Sequence, residues 1–466
     1  VSPAVPNDFA VIDPSTEEVC ATISLGGEAD TNAAVAAAKA AYPAWSETPK
    51  EVRLAAIKRI YDVYKSRAED MAQAISLEMG APIDMARTQQ VGAGIGHIKT
   101  FIQEYEKFDH IRPLGPHAPS DRILMDPIGV VAMITPWNWP MNQVTLKVIP
   151  ALAVGCTCIL KPSEVAPLSS IVWSEIIDEA DLPAGVYNMV NGDGAGVGSQ
   201  LSGHPDVDMV SFTGSTRAGI AISKNAADTL KRVSLELGGK GANILCPDAG
   251  EKAVKFSVLR CMNNTGQSCN APTRLLVHED QYDDTVAQVK EITENVKVGS
   301  AHDEGPHVGP VVSETQYNKI QGLIEKGIEE GAALVTGGPG RPEGFNRGYF
   351  VRPTVFANVT NDMTIAREEI FGPVLSILKY GSEEEAVEIA NDTAYGLTNY
   401  VQSQSDETRV RLAKKLKSGM VEMNGQSRGA GAPFGGFKAS GNGREGGAWG
   451  LEEFCEIKAV SGWAAE

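Results

Sequence analysis

Residues 130–140 read VVAMITPWNWP, an apolar run of strand character that ends in a loop stiffened by prolines. Apolar runs followed by polar loops recur at 157–161, 186–190, 207–212 and 232–237. Helical patterns separate these runs at 141–153, 167–179 and 216–227. Strands that alternate with helices form βαβ units, in which the strands are parallel. The sequence therefore predicts an α/β fold with a parallel, dinucleotide-type sheet.

Helical periodicity dominates the region before this series. Ser66-x-x-Glu69 predicts a capping box that begins a helix, and Gly80 is a suitable residue to end that helix. A Pro-rich break at 111–120 and a predicted strand at 122–126 follow. We interpret the break as a domain boundary or an excursion from the main body.

The region after this series again alternates predicted strands with helices. A second α/β series begins after Gly239 and extends to about Asn424. The Gly-rich segment from Gly425 to Gly447 carries aromatic and charged residues, so it is predicted to be a long ordered loop or crossing and not a linker.

Composition excludes several classes of protein. A chain of 466 residues exceeds one ordinary core, which predicts two or three domains. A net charge of −18 opposes binding to nucleic acid. Seven cysteines without close spacing do not form a disulfide framework, and the Cys156-Thr157-Cys158 stretch is interpreted as core filler. The seven histidines show no His-x-x-x-His pair, so no metal site is predicted.

Targeting signals are absent from the pattern of the chain. The N-terminus has no charged start followed by an apolar block, and no apolar run approaches the length of a membrane span. We therefore expect a soluble, cytoplasmic protein that does not contact membranes.

Cys269 lies in the polar loop Asn264-Thr265-Gly266-Gln267-Ser268, between a helical run and the apolar run 274–278. A thiol on such a loop is accessible to a ligand, whereas a thiol inside an apolar run fills space. A bystander cysteine is the alternative interpretation. Polar residues elsewhere in the chain could provide the partners that a nucleophilic cysteine needs.

Two predicted strands end in such partners. Glu236 closes a strand just before two glycines, where an α/β sheet opens into a ligand crevice. Asn138 lies between two tryptophans after the first strand of the series, and its amide is a neutral donor suited to an oxyanion. The alternative for Glu236 is a solvated acid at the end of a strand, and the alternative for Asn138 is an asparagine that stabilises its own turn.

Two other strand ends are suited to a nucleotide. Ser215 and its neighbours place hydroxyls at a helix N-terminus, which binds phosphate readily. Lys161 and Glu164 could hold ribose hydroxyls, and a carboxylate there would repel a 2′-phosphate. Residues 192–199 do not complete the Gly-x-Gly-x-x-Gly fingerprint, so any nucleotide binds in another geometry.

These stretches, in this order, resemble the aldehyde dehydrogenase superfamily. Motifs at 136–138, 161–164, 212–216, 236–240 and 266–269 carry the resemblance, and those at 368–373 and 433–441 extend it from about Asp8 to Val460. The resemblance implies NAD-dependent oxidation of an aldehyde to the acid, with NADP as a possible cofactor.

The resemblance also implies roles for single residues. Cys269 would be the nucleophile, Asn138 an oxyanion donor and Glu236 the base that activates water, while Lys147 and Glu445 match positions of a proton relay. Cofactor contacts are implied for Trp137, Lys161, Glu164, Gly194, Ser215, Leu237, Glu369 and Phe371.

A Rossmann-like NAD-binding domain, an α/β catalytic domain and a small β arm are implied by the same resemblance. The corresponding segments are 1–108 with 128–238, then 239–438, and finally 109–127 with 439–466 as the oligomerisation arm and tail. Such an arm implies a homodimer or homotetramer.

The chain departs from many relatives around the expected substrate pocket. Asn270 and Pro272 make the loop after Cys269 more polar and stiffer, and Arg428 stands where many relatives have an aromatic residue. Arg428 is interpreted either as a clamp for an anionic or polar aldehyde or as an arginine that is turned out to solvent or paired with an acid. Trp139 and Phe434 are predicted to line the same pocket.

Three rival functions remain open at this point. A CoA-acylating dehydrogenase would release the thioester to CoA, a use that a hydrolytic Glu236 disfavours. A cysteine thioester hydrolase needs no nicotinamide site. A catalytically inactive structural protein would lack Asn138, Glu236 and Cys269, all of which are present.

Overall fold

An antiparallel hairpin opens the part of the chain that this computed structural model describes, residues 3–463. Strand β1 (Asp8–Asp13) pairs with β2 (Glu18–Ser24). A layer of helices follows: α1 (Glu28–Ser46), α2 (Lys50–Ser66), α3 (Ala68–Met79), α4 (Ile83–Met85) and α5 (Val91–Lys107), with a π-helical turn at Ala86–Gln90.

The predicted start of α3 is wrong and its predicted end is confirmed. Ser66 Oγ donates to the carbonyl of Val63 at 2.8 Å, so the hydroxyl is used inside α2 and Arg67 occupies the N-cap. Gly80 ends the helix in the left-handed region, at φ 81°.

A short excursion separates this helical layer from the first large sheet. It consists of β3 (Ile111–Pro113) and β4 (Arg122–Pro127), which pair antiparallel. The strand predicted at 122–126 is confirmed.

The first large sheet has five parallel strands and confirms the predicted alternation. The strands are β5 (Val130–Ile134), β6 (Thr157–Lys161), β7 (Tyr187–Met189), β8 (Met209–Thr213) and β9 (Arg232–Glu236), in the order β7-β6-β5-β8-β9. The helices between them are α6 (Pro140–Val154), α7 (Leu168–Glu179), α8 (Ser199–Gly203) and α9 (Thr216–Ala226).

Burial on both faces explains why these strands are continuously apolar. Val131 and Met133 pack into a core shared with α2, α5 and α6, whereas Val130 and Ala132 pack on the opposite face beside Val35 of α1. A parallel sheet that is covered by helices on both sides requires this composition.

A second sheet of seven strands follows from residue 242. Its strands are β10 (Ala242–Leu245), β11 (Arg274–His278), β12 (Ala333–Thr336), β13 (Thr354–Ala357), β14 (Val374–Tyr380), β15 (Thr398–Gln402) and β16 (Met420–Met423), in the order β12-β13-β14-β11-β10-β15-β16. All its pairings are parallel except that of β12 with β13. Its helices are α10 (Ala253–Met262), α11 (Tyr282–Glu294), α12 (Glu314–Glu329), α13 (Thr364–Arg367), α14 (Glu383–Asn391) and α15 (Asp406–Lys415).

The C-terminal segment returns to the first half of the molecule. Helix α16 (Gly447–Glu452) places Leu451 in the core beside α5 and α6. Strand β17 (Cys455–Val460) then pairs antiparallel with β4, so β3, β4 and β17 form one small sheet. The predicted arm and tail contain these three strands, and the role of the small sheet in oligomerisation stays a prediction. Residues 1–2 and 464–466 of the predicted domains lie outside the described residues.

The structure also bears on the predictions about the cysteines and about membrane-spanning segments. Cys156 and Cys158 are buried and all seven cysteines are free, as predicted. Within residues 3–463, no helix is both long and apolar enough to cross a membrane.

Arg53 connects four helices of the first half through one buried guanidinium. Its Nε donates to the carbonyl of Ala153 at 2.9 Å, and Nη1 donates to the carbonyls of Ser46 and Thr48 at 3.0 and 2.7 Å. Nη2 donates to the hydroxyl of Tyr105 at 3.0 Å. Buried carbonyl groups need such donors because water does not reach them.

We predict that Arg53→Met destabilises the protein by about 3 kcal/mol or more, because several buried acceptors lose their donor together. The free energy of unfolding from urea denaturation measures the loss. Lys58→Met, on the same helix, removes an exposed pair with Glu106 and is the control, with an expected loss of about 1 kcal/mol or less. Equal losses in both variants contradict the role of Arg53.

Candidate active site

A strained turn positions the Cys269 loop. Asn264 and Thr265 hold left-handed backbone angles, at φ 53° and 56°. Gly266 follows at φ 71°, and a Cβ atom there would lie 2.0 Å from the carbonyl oxygen of Gly372. Only glycine fits this close approach of two backbones. The strain in the turn is typical of a functional loop.

Buried amides hold the same loop from both sides. Asn138 Nδ2 donates to the carbonyl of Gln267 at 3.0 Å, and Asn264 Nδ2 donates to the carbonyl of Asn138 at 2.9 Å. The side chain of Gln267 accepts from the backbone N–H of Val312 at 3.0 Å. An amide has two N–H groups, so Asn138 retains one for a ligand.

Two cavities meet at Cys269. A cavity of about 200 Å³ lies on the side of the first sheet, and its lining includes Trp137, Asn138, Ser215, Leu237, Glu369 and Phe371. A cavity of about 550 Å³ lies on the other side, and its lining includes Trp139, Asn270, Arg428 and Phe434. Among the described residues, Cys269 and Gln143 alone line both. A ligand in either cavity therefore reaches the thiol.

Glu236 ends β9 as predicted and is only 2% exposed. Neither carboxylate oxygen has a hydrogen-bond partner within residues 3–463. Burial raises the pKa of Glu236 well above its ordinary value, and the nearby Glu445 raises it further while Lys147 opposes the shift. Space for the carboxylate depends on Gly435, where a Cβ atom would lie 2.7 Å from Glu236 Oε1.

Lys147 and Glu445 form a buried ion pair near Glu236, with side chains 1% and 7% exposed. Glu445 Oε2 has no partner among the described residues. The structure thus brings both residues close to Glu236, and their role as a proton relay stays a prediction.

Burial also controls the thiol. It raises the pKa of Cys269 to about 12, and the carboxylates Glu369 and Glu236 raise the value while Arg428 lowers it. The thiol is therefore protonated at neutral pH until a base or a positive charge acts on it.

The predicted nucleotide residues lie along the carboxyl ends of the first sheet. Lys161 Nζ donates to the carbonyls of Pro162 and Gly192 at 2.7 and 2.6 Å and lies 3.5 Å from Glu164 Oε2. Gly194 begins a π-helical turn, Gly194–Gly198, instead of a standard fingerprint turn. Lys161, Glu164 and Gly194 lie outside the lining of the smaller cavity.

Ser215, Glu369 and Phe371 lie at the smaller cavity itself. Ser215 is the N-cap of α9 and accepts from the N–H of Ala218 at 3.3 Å. Glu369 accepts from the N–H of Gly239 at 2.8 Å, and burial raises its pKa. Phe371 adopts φ 59° and meets Trp137 edge to face, with ring centroids 5.4 Å apart.

Arg428 pairs with an acid in the wall of the larger cavity, and its role as a clamp for the substrate stays a prediction. Its Nε lies 3.4 Å from Glu422 Oε1, and its guanidinium lies over the ring of Phe434, 4.6 Å from the centroid. Arg428 is thus paired with an acid and also lines the cavity. Trp139 Nε1 donates to Ser268 Oγ at 2.8 Å.

Sequence reasoning missed Gln143, His97, Arg260 and Glu422. Gln143 Oε1 is buried without a partner among residues 3–463. His97 Nε2 lies 2.8 Å from Asn142 Oδ1, and burial lowers the pKa of His97. The spacing of Asn142 and Gln143 from Trp139 could have revealed their common helical face. The other three come from distant segments and gave no local signal.

We predict that Cys269 without ligand reacts with iodoacetamide at a rate that rises about tenfold per pH unit from about pH 7 to about pH 10, because the rate follows the thiolate fraction. Stopped-flow alkylation with peptide mapping measures this rate, and Cys269→Ser gives the background of the other cysteines. A plateau near about pH 8.5, the value of an ordinary thiol, contradicts the desolvated environment.

Comparison with known proteins identifies the family. Residues 1–460 match the model of the aldehyde dehydrogenase family. The chain is 49% identical over 465 residues to the 3-succinoylsemialdehyde-pyridine dehydrogenase of a Pseudomonas species, with 99% of this chain and 97% of the relative covered.

Solved structures agree with the sequence match. An aldehyde dehydrogenase from Bartonella henselae is 57% identical, with a TM-score of 0.98 over 99% of this chain and 97% of its own. A cysteine-to-alanine mutant of aldehyde dehydrogenase C from Pseudomonas syringae, complexed with NAD⁺ and octanal, is 46% identical, with a TM-score of 0.98 over 100% and 96% of the two chains. This chain therefore belongs to the aldehyde dehydrogenase family.

Proposed function

We propose that this protein oxidises an aldehyde to its carboxylic acid with NAD, through a thioester on Cys269. The observation that carries the proposal is the position of Cys269 where the two cavities meet. A hydride transfer requires donor carbon and acceptor ring in contact, so one ligand in each cavity provides the geometry. Family membership and the NAD⁺ complex of the Pseudomonas syringae enzyme support this assignment.

The residues around the smaller cavity fit NAD. Trp137, Leu237 and Phe371 offer apolar walls to a nicotinamide ring, and Glu369 offers a buried carboxylate to the ribose beside it. The N-terminus of α9 at Ser215 suits a pyrophosphate. Lys161 and Glu164 would hold the other ribose, and Gly194 leaves the backbone open beside it. Bound NAD supplies the hydride acceptor.

Cys269 would attack the aldehyde carbon as a thiolate. The bond from sulfur to carbon converts the carbonyl oxygen into an oxyanion, for which the free N–H of Asn138 and the backbone N–H of Cys269 are the donors. Loss of hydride from that carbon restores the carbonyl group and leaves a thioester. Glu236, with its raised pKa, would assist loss of the thiol proton, and the positive charge of bound NAD⁺ would stabilise the thiolate even where Glu236 is replaced.

Water would then release the acid. Glu236 takes a proton from the attacking water, the carbon–sulfur bond breaks, and Cys269 recovers its thiolate. Glu445 and Lys147 pass the proton onward, since Glu445 Oε2 lacks a partner among the described residues. The overall change is aldehyde, NAD⁺ and water to carboxylate, NADH and two protons.

The predicted homodimer or homotetramer would assemble through the small sheet of β3, β4 and β17 and bury its exposed Ile457, which is 70% accessible. The oligomeric state and the cytoplasmic location stay predictions from the sequence.

We predict that Glu236→Gln forms the thioester but hydrolyses it slowly, because the amide cannot accept a proton from water. A burst of about one NADH per active site precedes a steady rate lower by a factor of about 10² to 10⁴, measured by stopped-flow absorbance at 340 nm. Glu78→Gln changes another buried glutamate, which lines neither cavity and accepts from the backbone N–H groups of Leu168 and Ser169, and is the control with nearly normal turnover.

Other outcomes of this experiment identify the rival functions. Restoration of steady NADH formation by added CoA, after the burst, indicates an acylating dehydrogenase. Absence of NADH with every aldehyde, together with thioester hydrolysis, indicates a hydrolase. Unchanged steady turnover in Glu236→Gln contradicts the role of Glu236.

We predict that Glu164→Gln narrows the preference for NAD over NADP by about tenfold, because a carboxylate beside the adenosine ribose repels a 2′-phosphate. The ratio of kcat/KM for the two cofactors is the measurement. Glu179→Gln changes an exposed glutamate on α7 and is expected to leave the ratio unaltered. An unchanged ratio in Glu164→Gln contradicts the placement.

A further inference from the structure

The charged groups in the wall of the larger cavity have one sign. Arg260 and Arg428 line it, and His97, whose pKa is lowered by burial, is neutral at physiological pH. No aspartate or glutamate occurs among the lining residues of the described chain. The cavity that leads to Cys269 is therefore electropositive on one side.

One carboxylate serves both guanidiniums. Glu422 lies 3.5 Å from Arg260 Nη2 and 3.4 Å from Arg428 Nε, and its side chain is 4% exposed. Within residues 3–463, neither arginine forms an ion pair with any other acid. The cluster thus carries one excess positive charge, in a location where low solvent exposure strengthens its attraction for an anion.

Arg428 also lacks a strong acceptor for the end of its guanidinium. Its Nη1 contacts the thioether sulfur of Met420, which is a weak acceptor. The stack on Phe434 holds the guanidinium in place, and the side chain is 28% exposed. The planar fork of an arginine pairs with a carboxylate through two parallel hydrogen bonds, and no other side chain forms this pair as well.

The remainder of the cavity suits a short carbon chain. Its lining also includes the apolar side chains Phe101, Trp139, Leu146 and Phe434. A volume of about 550 Å³ is in the range of small-molecule sites. A molecule with an aldehyde at one end and an anion at the other would place its carbon atoms against these side chains.

We propose that the preferred substrates are aldehydes that carry a carboxylate at the far end of a short chain, and that Arg428, supported by Arg260, binds this carboxylate. The proposal rests on the proposed aldehyde oxidation and adds the substrate class and the residue that selects it.

The test compares each ω-oxo acid with its own methyl ester, which has the same chain without the charge. Oxobutanoate, oxopentanoate and oxohexanoate with terminal aldehydes are assayed with saturating NAD, and alkanals of equal length serve as a second neutral series. We expect kcat/KM for the best oxo acid to exceed that of its ester by about tenfold or more, since a hydrogen-bonded charge pair is worth that factor.

Three variants locate the effect. Arg428→Met retains much of the apolar stem but removes the charge, and should lower kcat/KM for the oxo acid about tenfold, through KM, while the ester changes less than about twofold. Arg428→Lys should retain part of the preference, because the charge remains without the fork. Arg411→Met, in an exposed pair on α15, is the control and should alter neither substrate.

The outcomes distinguish the proposed substrate class from the proposed aldehyde oxidation. The substrate assignment is wrong if esters and alkanals are oxidised as well as the oxo acids. It is also wrong if Arg428→Met lowers kcat/KM equally for the charged and the neutral substrates. Either result leaves aldehyde oxidation intact. Absence of NADH with every aldehyde in the wild-type protein overturns the proposed oxidation itself.

Discussion

The burial of titratable groups around the junction between the two cavities is the physical constraint on which the site depends. Burial raises the pKa of the Cys269 thiol, the Glu236 carboxyl and the Glu369 carboxyl together, because each charged form loses its hydration. Each of these groups therefore needs a compensating partner before its charged form can take part in a reaction. Neither oxygen of Glu236 has a hydrogen-bond partner within residues 3–463, so this carboxyl is free to bind a ligand or a water molecule.

The fold creates this junction by bringing the ends of separate elements to one seam. Asn138 follows β5, Glu236 ends β9, and Cys269 precedes β11 of the second sheet. Glycines permit the close approach: a Cβ atom on Gly239 would lie 2.4 Å from the carbonyl oxygen of Cys269. The loop that contains Gly435 closes the seam over Glu236.

The sequence predicted what local pattern determines and missed what long-range packing determines. The parallel strands were predictable because burial on both faces requires unbroken apolar runs, and Gly80 ended its helix through its own conformational freedom. The capping role of Ser66 failed because its hydroxyl had a nearer carbonyl acceptor. Glu422 and Arg260 escaped notice because a shared ion pair between a strand and a helix leaves no mark in sequence spacing. The alternatives for Arg428 could not be separated without its neighbours.

In the proposed mechanism, Cys269 carries the acyl group between hydride loss and hydrolysis. Mass spectrometry of Glu236→Gln, quenched in acid after incubation with an aldehyde and NAD, detects that acyl group. We expect a mass gain equal to one acyl group on the peptide that contains Cys269, dependent on NAD and absent in Cys269→Ala. An unmodified Cys269 during turnover, or an acyl group on a different residue, contradicts it.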